Sequence, residues 1–140
     1  LKIKSEHENF QIPVRSTQDS GGFDIFMPEA GSYEGGDKVI VPLGFSTEIP
    51  LGHVALLLPR SGTGFKHGLE VNNTVGVIDS DFRGQWHAAI KTKSGKPFSW
   101  EAGERILQFV IVPVATPSLE LVESLEDSER GKGGLGSTGK

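Results

Sequence analysis

Apolar residues in this chain come in short bursts, and most bursts stop at glycine or proline. Lys38-Val39-Ile40-Val41-Pro42 and Phe45-Ser46-Thr47-Glu48-Ile49-Pro50 are strand-sized and end at proline, which cannot donate to a sheet ladder. His53 to Leu58 is a largely apolar run closed by Pro59. Trp86 to Thr92 and Ile106 to Val114 are the longest runs rich in β-branched and aromatic residues. Gly76-Val77-Ile78 leads into Asp79-Ser80-Asp81-Phe82-Arg83-Gly84 and then the run from Trp86. That order predicts a β-hairpin with a loop longer than the tightest turns. Only Arg60 to Leu69 and Glu120 to Glu129 could hold a helical turn or two, with Ser61 suited to cap a short helix reaching Lys66. Many short strands between frequent turn signals predict an all-β sandwich or barrel. No internal repeat is present.

Composition narrows the class. The 140 residues suit one domain. About half are apolar once glycine is counted, near the globular norm. The net charge of −4 argues against a nucleic-acid or membrane-surface partner, which would call for a basic field. There is no cysteine, which excludes disulfides and thiolate zinc sites. No apolar run approaches the roughly 20 residues of a membrane-spanning helix, and no signal-like segment opens the sequence. The expectation is a cytoplasmic protein, or a nuclear or host-cell cytoplasmic one if the source is eukaryotic or viral.

Candidate chemistry gathers in loops. The tail, Arg130-Gly131-Lys132-Gly133-Gly134-Leu135-Gly136-Ser137-Thr138-Gly139-Lys140, holds many glycines, cations, two hydroxyls and one apolar side chain. It cannot bury enough apolar area to offset its ordering entropy. It is either a frayed end or a flap that a partner orders, and its donors suit a polyphosphate. Gly134 to Lys140 matches the opening of a P-loop, but that motif works only between a strand and a helix, and no β-rich run precedes it. Asp79 and Asp81 suit a turn, or one of them could polarise an attacking water. In Pro59-Arg60-Ser61-Gly62-Thr63 the hydroxyl, bare backbone and guanidinium suit either a capped turn or an anion site. Gln108 is polar inside the last apolar run, either facing solvent or donating to an anion. His7, His53, His67 and His87 are scattered without ligand spacing, and Trp86 and Trp100 read as core or interface anchors.

Taken in order, these segments resemble the homotrimeric dUTPase family. The resemblance rests on Gly22-Phe23-Asp24-Ile25, Pro59-Arg60-Ser61-Gly62, Asn73 through Gly84, Gly103-Glu104-Arg105-Ile106-Leu107-Gln108 and Arg130 through Gly139. It implies an all-β distorted jelly roll with at most one short helix, in a three-fold trimer whose active sites draw on several subunits. Residues 1–129 would form the β domain. Residues 130–140 would close over a neighbour's site.

The resemblance also implies roles. Asp79 would position and activate water for attack at the α-phosphorus of dUTP, releasing dUMP and pyrophosphate. Such an activity keeps uracil out of DNA and supplies dUMP for thymidylate synthesis. Asn73 and the backbone of Gly76, Val77 and Ile78 would read uracil and exclude the thymine methyl. Phe82 stands where relatives usually carry tyrosine, and its ring would still block a ribose 2′-hydroxyl. Ser61, Gly62 and Gln108 would contact phosphates, with Asp24 and Arg60 supporting the catalytic geometry. Arg130, Gly136, Ser137 and Thr138 would clamp the γ-phosphate end. Leu135 stands where relatives place a phenylalanine over the base. Mg²⁺ would be held mainly by triphosphate and water. Thr63-Gly64 departs from the family's usual apolar pair. A dCTP deaminase or bifunctional relative shares this fold, but needs a glutamate where His87-Ala88-Ala89 stands. A non-catalytic dUTP-binding trimer would be marked by loss of Asp79 or of the tail donors, and both are present.

Overall fold

The computed structural model describes residues 1–139; Lys140, the last residue of the tail, lies outside the described residues. The strands are β1 (Lys2–Ser5), β2 (Phe23–Ile25), β3 (Gly31–Tyr33), β4 (Val39–Pro42), β5 (Phe45–Glu48) and β6 (His53–Pro59). After helix α1 (Ser61–His67) come β7 (Leu69–Val71), β8 (Gly76–Ile78), β9 (His87–Thr92), β10 (Phe98–Trp100) and β11 (Leu107–Pro113). The chain is thus mostly β with one short helix among the described residues. No helix is long and apolar enough to cross a membrane among those residues.

The strands form open, antiparallel sheets. The largest runs β2-β11-β6-β8, a second runs β4-β9-β7, and β1 pairs with β5 and β10 with β3. Two of the apolar runs of the sequence are its centre: β11 lies against β6 over seven residues, from Leu107 opposite Pro59 to Pro113 opposite His53. Alternation along them sends Ala55, Leu57, Leu107 and Phe109 inward. There they meet Ile25, Phe45, Ala88 and Ile90 from other strands, and Trp86 from the segment before β9. Trp86 is the hub of this core: its ring centroid lies 4.8 Å from that of Phe45 and 5.1 Å from that of Phe109. Its indole N–H donates to Thr47 Oγ1 at 3.2 Å, so the buried polar atom is paired. At the molecule's edge, Glu6 accepts from Ser46 and lies beside Lys4, and these contacts hold its carboxyl below the usual glutamate range.

Three expectations need correction. Strands β8 and β9 do not form a hairpin: β8 pairs with β6, whereas β9 pairs with β4 and β7. The segment between them crosses from one sheet to the other. Trp86 ends this crossing, bonded through its backbone to Phe45 and Leu43, and its ring is best buried where the sheets meet. Ser61 is not the helix cap: Arg60 occupies that position in extended backbone, and makes no side-chain capping bond. The helix does end as its sequence suggests, on Gly68 in the left-handed conformation (φ 62°). Finally, Glu120 to Glu129 forms no helix. Leu119, Leu121 and Leu125 are exposed there, and without an apolar face to dock, a stretch this short does not sustain a helix.

Candidate functional site

The candidate residues fall into three groups. The first surrounds the start of α1. Asp24, in β2, is buried apart from a trace of its side chain, and its two oxygens are fully employed. Oδ1 pairs with Arg60 Nε at 2.9 Å, while Oδ2 accepts from Ser16 Oγ at 2.9 Å and from Arg105 at 3.3 Å. Arg60 also donates to the Arg105 carbonyl at 3.1 Å. Its guanidinium is therefore drawn sideways into the protein; having donors only, it has no acceptor with which to cap the helix. A buried carboxylate is tolerable only with such partners.

Gln108 sits in β11 between Asp24 and Leu58, and donates to the Pro59 carbonyl at 3.0 Å. Its amide lies directly over Gly22, where a Cβ would stand 2.2 Å from Oε1. Gln108 thus does not simply face solvent: within this chain it braces the turn that carries Ser61 and Gly62. Thr63 ties the same turn to the residue before β11, its hydroxyl lying 2.8 Å from the Ile106 carbonyl and 3.1 Å from that of Arg60. This gives a physical reason for a hydroxyl where an apolar residue was expected. Ser61 and Gly62 themselves are exposed, and nothing lies within 4 Å of where a Gly62 Cβ would be. The first turn of α1 thus offers backbone N–H groups to open space. Beside it lies a cleft of about 630 Å³ lined by Ser61, Asn72, Thr74, Lys91 and Lys93 among others.

The second group follows β7. Asn73 is exposed in a tight turn in which Thr74 N–H bonds the Val71 carbonyl. Thr74 adopts a positive φ of 72°, an uncommon state for a β-branched residue. Gly76, Val77 and Ile78 then form β8, an edge strand paired only with β6. A Cβ on Gly76 would come within 3.0 Å of Leu57 Cβ, so glycine lets the two strands close. Asp79 follows, exposed, its carbonyl accepting from the Phe82 N–H at 3.2 Å. Arg83 closes the loop by donating to the Ser80 carbonyl at 2.7 Å. Phe82 is partly exposed.

These two groups do not meet fully within one chain. Strand β8 is antiparallel to β6, with Gly76 opposite Leu57 and Ile78 opposite Ala55. Asp79 therefore leaves near the start of β6, whereas Ser61 lies just past its end. The strand rise puts them on the order of 15–20 Å apart.

The third group is the tail. Arg130, Leu135, Gly136, Ser137 and Thr138 are exposed. Among the described residues, the tail's hydrogen bonds run only to Ser128 or within the tail itself. The last backbone tie to the body is Val114 to Gly52.

Ser16 and Arg105 are the members of the first group to which sequence reasoning gave no role, and it offered no account of the Thr63 hydroxyl. Arg105 lies within a segment already singled out. Ser16 sits in a polar loop and carried no signal.

Comparison with known proteins converges on one family. The dUTPase family model matches residues 8–139. A deoxyuridine 5′-triphosphate nucleotidohydrolase of Nautilia profundicola is 41% identical over the whole chain and 99% of its own length. One from Haemophilus ducreyi is also 41% identical, over 94% of this chain and 88% of its own. Among solved structures, the dUTPase of Staphylococcus bacteriophage 80alpha with dUPNHPP superposes with a TM-score of 0.88 at 32% identity, covering 99% of this chain and 98% of that one. A variant dUTPase of phage phi11 of S. aureus, described as coordinating a structural Mg(II) ion, gives 0.80 at 26% identity over 90% of this chain and 98% of its own. With its motifs in order and the match nearly end to end, this chain belongs to the dUTPase family.

Proposed function

We propose that the protein hydrolyses dUTP to dUMP and pyrophosphate, as a homotrimer of distorted jelly-roll subunits with sites shared between chains. Family membership over nearly the whole chain supports the substrate. The observation that carries the shared site is the split along β6: the braced turn at Ser61 and Gly62 lies at one end and Asp79 at the other. A second copy brings the two together.

In this reading Ser61, Gly62 and Gln108 receive the phosphates. Asp24 and Arg60 hold that turn in place, with Arg105 and Ser16 completing the network. Asp79, from a neighbouring copy, takes a proton from water as the water oxygen attacks the α-phosphorus. The bond to the bridging oxygen breaks, and pyrophosphate leaves with the electron pair. Positioning and charge neutralisation supply most of the acceleration. Asn73 and the outer edge of β8 read the base, since an edge strand keeps a row of unpaired backbone donors and acceptors. Phe82 walls off the sugar's 2′ position. The tail, with Arg130, Gly136, Ser137 and Thr138 toward the γ-phosphate and Leu135 toward the base, closes the site of another copy.

Among the described residues no three metal-ligating side chains converge. In this reading a Mg²⁺ ion would take its oxygens mainly from the triphosphate and water, and would offset phosphate charge there. Strand β9, where a deaminase would need a glutamate, reads His87-Ala88-Ala89-Ile90-Lys91-Thr92.

Pyrophosphate release from dUTP with Mg²⁺ tests the proposal. Asp79→Asn should keep dUTP binding and lose roughly 10²–10⁴-fold in kcat, the usual share of a general base. Full turnover by that variant refutes the role of Asp79. Ammonia released from dCTP refutes a purely hydrolytic reading. Tight dUTP binding without turnover by the unaltered protein favours a sensor.

A further inference from the structure

Phe82 does not stand alone in its loop. Its ring folds back onto Gly84: a Cβ built at Gly84 would lie 2.7 Å from Phe82 Cζ and 3.0 Å from Cε1. Carbon atoms in contact sit near 3.5–4.0 Å, so any side chain at position 84 displaces the ring. Gly84 is not in a left-handed conformation. Its backbone would accept alanine without strain, and the only demand for glycine there is the space the ring occupies. The rest of the loop fixes the other side of the ring's frame. The Phe82 N–H bonds the Asp79 carbonyl at 3.2 Å, and Arg83 donates to the Ser80 carbonyl at 2.7 Å. Asp79 and Phe82 thus belong to one closed turn, and the ring's remaining freedom is to swing toward or away from residue 84.

We infer that Gly84 is a positioning residue for Phe82, and that its missing side chain sets the selectivity between deoxyribose and ribose nucleotides. The inference rests on the reading of Phe82 as the wall at the sugar. With glycine the ring lies back against the backbone at residue 84, and on the reading of Phe82 as the sugar wall that position sets the room left for the 2′ carbon. With a methyl group at 84 the ring is pushed outward, and that room no longer has the shape that admits a 2′-hydrogen and refuses a 2′-hydroxyl. A single methylene in a close-fitting pocket commonly changes discrimination by roughly 10–200-fold.

The test is a double-mutant cycle on the full chain with Gly84→Ala, Phe82→Ala and the double variant. Each is assayed for kcat/KM on dUTP and on UTP, with Tm as a control on folding. Gly84→Ala should lower the dUTP-to-UTP ratio by about tenfold at a nearly unchanged Tm. In the Phe82→Ala background it should change the ratio no further. An unchanged ratio in Gly84→Ala, or the same loss with and without the ring, overturns the inference. NMR adds a readout independent of turnover: the ring current of Phe82 should displace the Gly84 α-proton shifts, and Phe82→Ala should abolish that displacement. Persistence of the shift in Phe82→Ala also overturns it. If the unaltered protein releases no pyrophosphate from dUTP, the proposed function fails instead; normal dUTP turnover with an unmoved ratio sinks only the role of Gly84.

Discussion

Leu135 is the side chain with the least to do in an isolated chain. It is fully exposed, and with a positive φ of 51° it sits in a backbone state that leucine seldom adopts. If the tail closes over a nucleotide, this leucine covers the base without the stacking energy of an aromatic ring, worth roughly 1–3 kcal/mol per base. Leu135→Phe should therefore lower KM for dUTP by about tenfold or more, with kcat little changed. Side-by-side steady-state kinetics check this, and equal KM values remove Leu135 from the base. Thr63 teaches the opposite lesson. Its hydroxyl looked out of place in the sequence, but it bonds the Ile106 carbonyl and helps anchor α1 to the residue before β11.

At the scale of elements, the core depends on Trp86 at the crossing between sheets. Trp86→Ala removes its ring contacts and leaves Thr47 Oγ1 without its donor. The expected loss is roughly 3–5 kcal/mol, readable as a large drop in the denaturant midpoint at unchanged slope. The long strands β6, β9 and β11 were legible because dense β-branched and aromatic runs mark strands wherever they pair. Strands β2, β3 and β10 were not. Each is three residues long, and each exists because a distant partner lies beside it, as Trp100 lies opposite Gly31. Pairing choice was also hidden: Gly76 to Thr92 has the local pattern of a hairpin, yet burial sends its two halves to different sheets. The helix was readable, but its boundary was not: Ser61 looked like the cap, whereas the fold starts the helix at Ser61 and leaves Arg60, whose side chain has no acceptor, at the cap position. For the site, the turn at Arg60, Ser61 and Gly62 was visible as a motif, whereas its bracing by Ser16 and Thr63 arises from chain segments far apart in sequence.

For the whole molecule, the tail is tied to the body by few contacts. No backbone hydrogen bond ties the chain beyond Val114 to the body among the described residues. Truncation before Arg130 should leave Tm and oligomeric state unchanged while removing most dUTP turnover; calorimetry, light scattering and pyrophosphate release measure the three. A truncated protein of full activity would show that the tail closes nothing. The placement of Asp79 and Ser61 beyond opposite ends of β6 reaches further still. On the shared-site proposal, one polypeptide contributes to more than one reaction centre and completes none by itself. Protomers disabled at Asp79 and protomers disabled at Ser61 would each be dead in pure form, yet subunit exchange between them should recreate some intact centres, about a quarter under random mixing in a three-fold ring. Dilution below the assembly threshold would abolish activity without unfolding a single chain.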